Sequence, residues 1–289
     1  MASIVIHRYS PTCAGIGDFV LAASILRSFC IEHGISYYMD ITNPIREFFD
    51  YKPYPGDSSE FEEITKYNHK YNKVIIDKYN VFLESIVHQP RRIIIQTNFI
   101  LENANYISNI NKLNEIFTPT LSVRHDFKQL LDSHSLTSKQ YICIHIRFGD
   151  NALCENITLD NRIKESTRTV EERVEECLAI RANKDLPVVL IADHYESKVE
   201  MAKRYGFVYF DIRPTHTSFT TESDAIQSTV LEFLTFTEAA EVLAVSRSGF
   251  SYCGAAYGSV PFRYVQGAHT CHLGCVPSLC RITGVHSGT

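Results

Sequence analysis

The sequence predicts an α/β protein of two halves, 1–137 and 138–289, facing a central cleft. Three observations carry this. Apolar runs of strand length, such as SIVIHRY, YICIHIR and LPVVLIA, are each followed by a loop and then a segment with helical spacing. The alternation ends near 135–140 and starts afresh at Gln140. The loops richest in glycine, serine and charge stand directly after strands, where open α/β sheets hold their ligands.

The elements follow in order. SIVIHRY (3–9) reads as a buried strand, and SPTCAGIGD as a turn-rich loop. FVLAASILRSFCIEHG has helical spacing and stops at Gly34, and ISYYMDI (35–41) is the next strand. A polar excursion covers 51–72, KVIIDKY and RRIIIQTNF read as strands, and HDFKQLLDSHSL (125–136) as a helix closing the first half. The second half repeats the pattern with strand 140–150, helix 169–183, strand 186–193, a helix ended by Gly206, and strand FVYFDIR. SDAIQSTVLEFLTFTEAAEVLAVS runs from helix into strand, SGFSYCGAAYG is a short helix, and VPFRYVQ is the last strand.

The bulk properties narrow the function. A chain of 289 residues accommodates two modest domains, and 45% hydrophobic with 21% charged residues is an ordinary globular composition. A net charge of −5 supplies no global basic field for nucleic acid. The apolar run FVLAASIL is too short to span a bilayer, and MASIVIHRY has no signal-peptide pattern. The expected location is therefore cytoplasmic. The nine cysteines are odd in number and mostly stand singly in apolar runs (Cys30, Cys143, Cys177), as reduced core thiols do. Without secretion the Asn156-Ile157-Thr158 sequon reads as chance.

Three loops carry chemistry. In Ala14-Gly15-Ile16-Gly17-Asp18, two glycines before a helix allow close backbone approach and leave N–H groups for an anion or a sugar hydroxyl. The same pattern also fits a plain turn with Asp18 as helix cap. In His145-Ile146-Arg147-Phe148-Gly149-Asp150, strand alternation puts His145 and Arg147 on one face and Ile144, Ile146 and Phe148 in the packing. An arginine at the end of an apolar strand needs a partner. That partner is a phosphate gripped by the planar guanidinium, or a carboxylate such as Asp150. In Val245–Gly258, Ser246, Ser248 and Ser251 flank Gly249 at a helix start, which suits an anion and equally suits a Ser248 cap.

Taken in this order, the three loops resemble the fucosyltransferase superfamily, which holds the α1,2- and α1,6-fucosyltransferases and the protein O-fucosyltransferases. The family's first loop looks like Ala14–Asp18, and its signature strand, His-Val-Arg-Arg-x-Asp, looks like His145–Asp150. Its "LATDD" strand is matched at Leu190–Asp193, and its acidic residue with "FLSLAD" at Glu232–Ala239, ahead of the serine-rich turn. The resemblance covers 140–260 well and 10–30 loosely, and does not extend to 45–135. It implies a GT-B fold of two Rossmann-like domains and an inverting, metal-independent transfer of a sugar from a nucleotide-sugar to a glycan hydroxyl. The chain has no Asp-x-Asp at a strand end, as a metal-dependent enzyme would.

The resemblance also implies residue roles. Arg147 would bind the β-phosphate and stabilise the leaving diphosphate. His145 and Glu232 would contact the base or ribose, Asp193 the nucleoside, and Ser246, Ser248, Gly249, Phe250 and Ser251 the pyrophosphate. Gly15, Ile16 and Gly17 would line the acceptor side. Glu155 is the expected base and Asp18 the runner-up, with Asp150 orienting Arg147. Phe148 stands where many relatives have a second arginine, and the paired acids after the next strand are reduced to Asp193-His194. GDP-fucose is thus the first choice of donor, a UDP-sugar such as UDP-xylose the alternative, and a non-catalytic nucleotide- or glycan-binding protein the alternative of another class. In the tail, Cys271, His272, Cys275 and Cys280 are spaced poorly for tetrahedral zinc, and no metal is expected.

Overall fold

The computed structural model describes residues 3–11, 15–66, 73–97, 109–148, 169–217, 220–246, 248–266 and 269–271. By internal contacts the chain divides into two units: Met1–Phe127 with Thr215–Leu231, and Lys128–Pro214 with Glu232–Thr289. The division falls earlier than the 137/138 cut expected from the sequence. It is also discontinuous, because 215–231 belongs with the first unit.

The first unit holds strands β1 (Ile4–Tyr9), β2 (Ser36–Ile41), β4 (Glu62–Lys66) and β5 (Arg92–Thr97) in one sheet, ordered β2-β1-β5-β4. Every pairing in it is parallel. A two-stranded antiparallel ribbon joins β3 (Phe49–Tyr51) to β6 (Phe117–Pro119). Helix α1 (Ile16–Glu32) is the crossover from β1 to β2, α2 (Lys73–His88) precedes β5, and α3 (Leu121–Ser133) follows β6. Most residues of α1 are apolar, so the helix is buried round most of its circumference, from Ile16 to Cys30. Phe19 stacks on Tyr9 with centroids 4.1 Å apart, and Phe117 stacks on Phe49 at 4.1 Å. Gly34 takes φ +65°, the left-handed turn that ends the helix as its position in the sequence implies.

The second unit contains β7 (Ile142–Ile146), β8 (Val188–Ala192), β9 (Glu241–Ala244), β10 (Phe262–Gln266) and β11 (His269–Cys271), ordered β11-β10-β9-β7-β8. Only β11 runs antiparallel to its neighbour. Its helices are α4 (Val170–Ile180), α5 (Tyr195–Tyr205) and α7 (Gly249–Tyr257), with α6 (Ser223–Thr237) contributing from Glu232 onward. Thr169 and Glu172 close a reciprocal capping box at the start of α4. Gly206, at φ +69°, ends α5. Ile142, Ile144, Ile146 and Phe148 pack with Val188, Leu190, Val174 and Met201, as the alternation along the strand requires.

Three expectations are corrected. KVIIDKY is not a strand but the first half of α2. The isolated run VII fits either period; the longer window shows buried Leu83 and Ile86 three apart with Val81 exposed, the spacing of a helix face. FVYFDIR makes a single bridge, Val189 to Val208, and then leaves the sheet edge. The polar excursion contains β4, which is a strand despite its charge because it lies at the sheet edge, with one side open to solvent.

Candidate functional site

In a doubly wound sheet the ligand crevice opens where the chain's strands part to opposite sides. In the second unit that point lies between β7 and β9, since β8 flanks β7 on its other side. The residues just past β7 and β9 are tied together there. Arg147 N–H donates to Ser246 Oγ at 2.6 Å, and Ser246 Oγ–H donates to Arg147 C=O at 2.9 Å, so one hydroxyl satisfies both backbone groups of the arginine. Val245 N–H bonds His145 C=O at 2.9 Å, extending the ladder up to this point. Arg173, from α4, donates to Val245 C=O at 3.2 Å.

Asp193, at the end of β8, holds the same segment from the other side. Its Oδ1 accepts Phe148 N–H at 2.6 Å and its Oδ2 lies 3.6 Å from Arg147 Nη1. Asp193 is buried, whereas the Arg147 side chain keeps 18% of its surface exposed. The arginine is therefore positioned by backbone and side chain alike. The carboxylate alternative for its partner is met by Asp193; Asp150 and Gly149 lie outside the described residues.

His145 points into the unit. It is buried, shares a hydrogen bond of 3.0 Å with Ser251 Oγ, and lies edge-on to Phe236 and Phe250. Burial, helped by the charge of Arg147, drops its pKa to about 3, so the ring is neutral. Phe250 packs against Phe233 and Phe236. Ser248 is the N-cap of α7, accepting Phe250 N–H at 3.2 Å. The seryl hydroxyls of the VSRSGFS turn thus cap the helix, lock the Arg147 backbone and hold His145. Gly249 is exposed at the first helical position, beside the positive end of the α7 dipole. α7 is pressed onto α6: a Cβ on Gly254 would lie 2.8 Å from Phe236 Cβ, and one on Gly258 would lie 2.2 Å from Thr237 C=O.

Glu232 is buried on α6 and faces Lys198, whose Nζ is 3.2 Å from Glu232 Oε1 and 2.5 Å from Ile212 C=O. Burial raises the Glu232 pKa, Lys198 opposes the shift, and Asp193 adds to it. Sequence reasoning missed Lys198 and Arg173. The signal for Lys198 was present: it occupies the buried stripe Lys198, Met201, Ala202 of α5, where an apolar residue belongs.

In the first unit, Gly15 is the N-cap of α1 and Asp18 lies in the first turn, so Asp18 favours the helix dipole without being the cap. A Cβ on Gly15 would come 2.6 Å from His216 Nε2. The glycine therefore makes room for a histidine from the 215–231 segment. That segment is pinned to the same strand end: Thr217 Oγ1 is 3.1 Å from Tyr9 OH, and its C=O accepts from Asn43 at 3.4 Å. Ile16 and Gly17 are buried in α1. Glu155, His272, Cys275 and Cys280 lie outside the described residues. Cys30, Cys143, Cys177 and Cys253 are buried free thiols. Among the described residues no group of three His, Cys, Asp or Glu could hold a metal, and no helix is long and apolar enough to cross a membrane.

No protein-family model and no curated protein sequence matches the chain. Solved structures do. The NodZ α1,6-fucosyltransferase, known from Bradyrhizobium, superimposes in its GDP-fucose-soaked form with a TM-score of 0.62 at 13% identity, over 94% of this chain and 99% of that one. Arabidopsis thaliana FUT1, as a variant in complex with GDP, gives a TM-score of 0.57 at 10% identity, over 96% of this chain and 73% of that one.

The chain has the fucosyltransferase fold. It is of the α/β, GT-B type that the three loops implied. The fucosyltransferase fold is thus reached with little shared sequence.

Proposed function

We propose that the protein is a glycosyltransferase that takes a sugar, fucose first, from a nucleotide-sugar and places it on a glycan hydroxyl with inversion and without a metal. One observation carries the proposal. Arg147 stands at the switch point of a fucosyltransferase-type sheet, fixed by Ser246 and Asp193 with its side chain partly exposed, beside the N-terminus of α7. Those groups suit a diphosphate leaving group: the guanidinium meets its oxygens bidentately, and the first-turn N–H groups and dipole of α7 supply the rest of the positive potential. Fixed positive groups of this kind do the work that a divalent cation does elsewhere.

In the step itself the acceptor oxygen attacks the anomeric carbon, and the bond from that carbon to the phosphate oxygen breaks. The electron pair stays on the diphosphate, where Arg147 stabilises it. The acceptor proton passes to a carboxylate, proposed to be Glu155, with Asp18 the runner-up. Ser246, Ser248, Gly249, Phe250 and Ser251 form the diphosphate cradle. His145 and Glu232, both buried and bonded within the unit, shape the nucleoside end from beneath, next to Asp193.

GDP is favoured over UDP because the similar structures include ones in complex with GDP and one soaked with GDP-fucose. The test is a melting-temperature panel with GDP, UDP, GDP-fucose and UDP-xylose, followed by assay for sugar release or transfer. Stabilisation by GDP and GDP-fucose alone is expected, since a ligand that binds only the native state raises its stability by mass action. Stabilisation by UDP and UDP-xylose would move the donor assignment. GDP binding with neither hydrolysis nor transfer would make the chain a nucleotide-binding protein.

A further inference from the structure

We propose that Arg173 is a second phosphate-binding side chain: it reaches the crevice between β7 and β9 from α4 and shares the diphosphate with Arg147. The inference rests on the nucleotide reading above and adds to it a residue from outside the three loops. Its basis is where the guanidinium is tied down. Arg173 Nη1 donates to Val245 C=O at 3.2 Å, just past the carboxyl end of β9. The next residue, Ser246, holds the N–H and C=O of Arg147 through its hydroxyl. Two arginines from different elements are thus fastened to two consecutive residues. They meet where β8 and β9 part to opposite sides of β7, the edge at which an open α/β sheet holds its ligand.

The fold by itself does not call for a charge at this position. Arg173 is the fourth residue of α4, at the helix start, where Glu171 and Glu172 suit the dipole and a cation opposes it. Among the described residues no carboxylate forms an ion pair with it. Other half-buried arginines do meet one: Arg8 pairs with Asp40 and Glu63, Arg27 with Glu115, Arg91 with Glu62 and Arg263 with Glu241. Arg181 has none either, but it caps the C-terminal end of α4, where the dipole favours a cation. The clip onto Val245 C=O needs one neutral donor, and a guanidinium has five N–H groups. A half-buried cation that meets only a neutral carbonyl is costly until an anion joins it. A phosphate supplies the opposite charge, and its oxygens match the planar fork.

The experiment compares the wild type, Arg173→Met and Arg173→Lys. Affinities for GDP, guanosine and inorganic pyrophosphate are measured, together with melting in the absence of ligand. Methionine keeps an unbranched stem and removes the charge. Lysine keeps the charge and a donor for Val245 C=O but loses the fork. Arg173→Met is expected to bind GDP and pyrophosphate about tenfold or more less tightly, the effect of one charge-assisted hydrogen bond, with guanosine within about twofold of wild type. Arg173→Lys should melt like the wild type and recover part of the GDP affinity.

A clip that only fastens β9 to α4 would behave differently. Arg173→Met would then melt earlier, and its ligand affinities would fall alike or not at all. GDP affinity within about twofold of wild type in Arg173→Met, or an equal loss for guanosine and GDP, overturns the inference. If Arg173→Met does not fold, Arg173→Lys decides: weaker GDP binding with guanosine unchanged supports the inference, and wild-type affinity for both overturns it. If the wild type binds pyrophosphate but not GDP, the donor reading falls by itself, and the pyrophosphate affinity of Arg173→Met decides the role of Arg173. If the wild type binds neither, both fall.

Discussion

Arg147 is held through its backbone by Ser246 and through its side chain by Asp193. Replacing it by alanine should lower transfer on the order of a hundredfold or more with melting little changed, and lysine should rescue poorly because a point charge cannot grip two oxygens. Turnover near normal in Arg147→Ala would remove the donor assignment. Ser246→Ala leaves the arginine's N–H and C=O without their shared hydroxyl and should cost about 1–3 kcal/mol in urea unfolding, with weaker donor binding. The orientation of this strand end was legible beforehand. Alternation alone put His145 and Arg147 on one face and Ile144, Ile146 and Phe148 in the core. The partners were not legible, because nothing in the residues says that β9 lies against β7 and so brings Ser246 to Arg147. His145 is a similar case: its polarity suggested a ligand, whereas its hydrogen bond goes to Ser251 in the same buried layer.

At the scale of elements, α7 couples packing to binding through its glycines. Gly258→Ala would drive a methyl group into Thr237 C=O and, with backbone on both sides, should reach the upper end of the ~1–3 kcal/mol overpacking range, read as a lower urea midpoint. Gly249→Val sits on the exposed first turn, so it should leave the midpoint nearly unchanged and abolish nucleotide-induced stabilisation. If both variants merely lower the midpoint, the helix start is self-capped and the diphosphate binds elsewhere. The helices with strong stops, α1 at Gly34 and α5 at Gly206, were readable because a left-handed glycine is a local requirement. KVIIDKY and FVYFDIR were misread because short apolar runs carry no period of their own. β4 was missed because an edge strand need not be apolar.

At the scale of the molecule, each unit buries, among the described residues, one neutral histidine in its sheet. His7, bonded to Tyr37 and Thr97, has its pKa lowered by burial to about 4, and His145 to about 3. Both lie below the unfolded value of about 6.5, so the unfolded chain takes up protons first as pH falls. Their stabilisation is complete above about pH 6.5 and is lost progressively toward pH 4 and 3. By the size of the shifts they are worth on the order of 3 kcal/mol for His7 and about 5 kcal/mol for His145. The melting temperature should therefore drop steeply between about pH 6.5 and 4.5, and His7→Gln should shallow that slope. An acid profile unchanged in His7→Gln would show that the ring is not the group being charged.

The discontinuous first unit has a consequence for how the chain is made. Tyr9 and Asn43 hold Thr217, and Asp126 accepts a hydrogen bond from Gln227. On a ribosome those anchors wait for their partners while the intervening residues emerge, so the N-terminal sheet is born before the piece that completes it. A nascent chain stalled some 40 residues beyond 137, enough to clear the exit tunnel, should be cut by protease around Gly15, where His216 has not yet arrived, and one stalled equally far beyond 231 should resist.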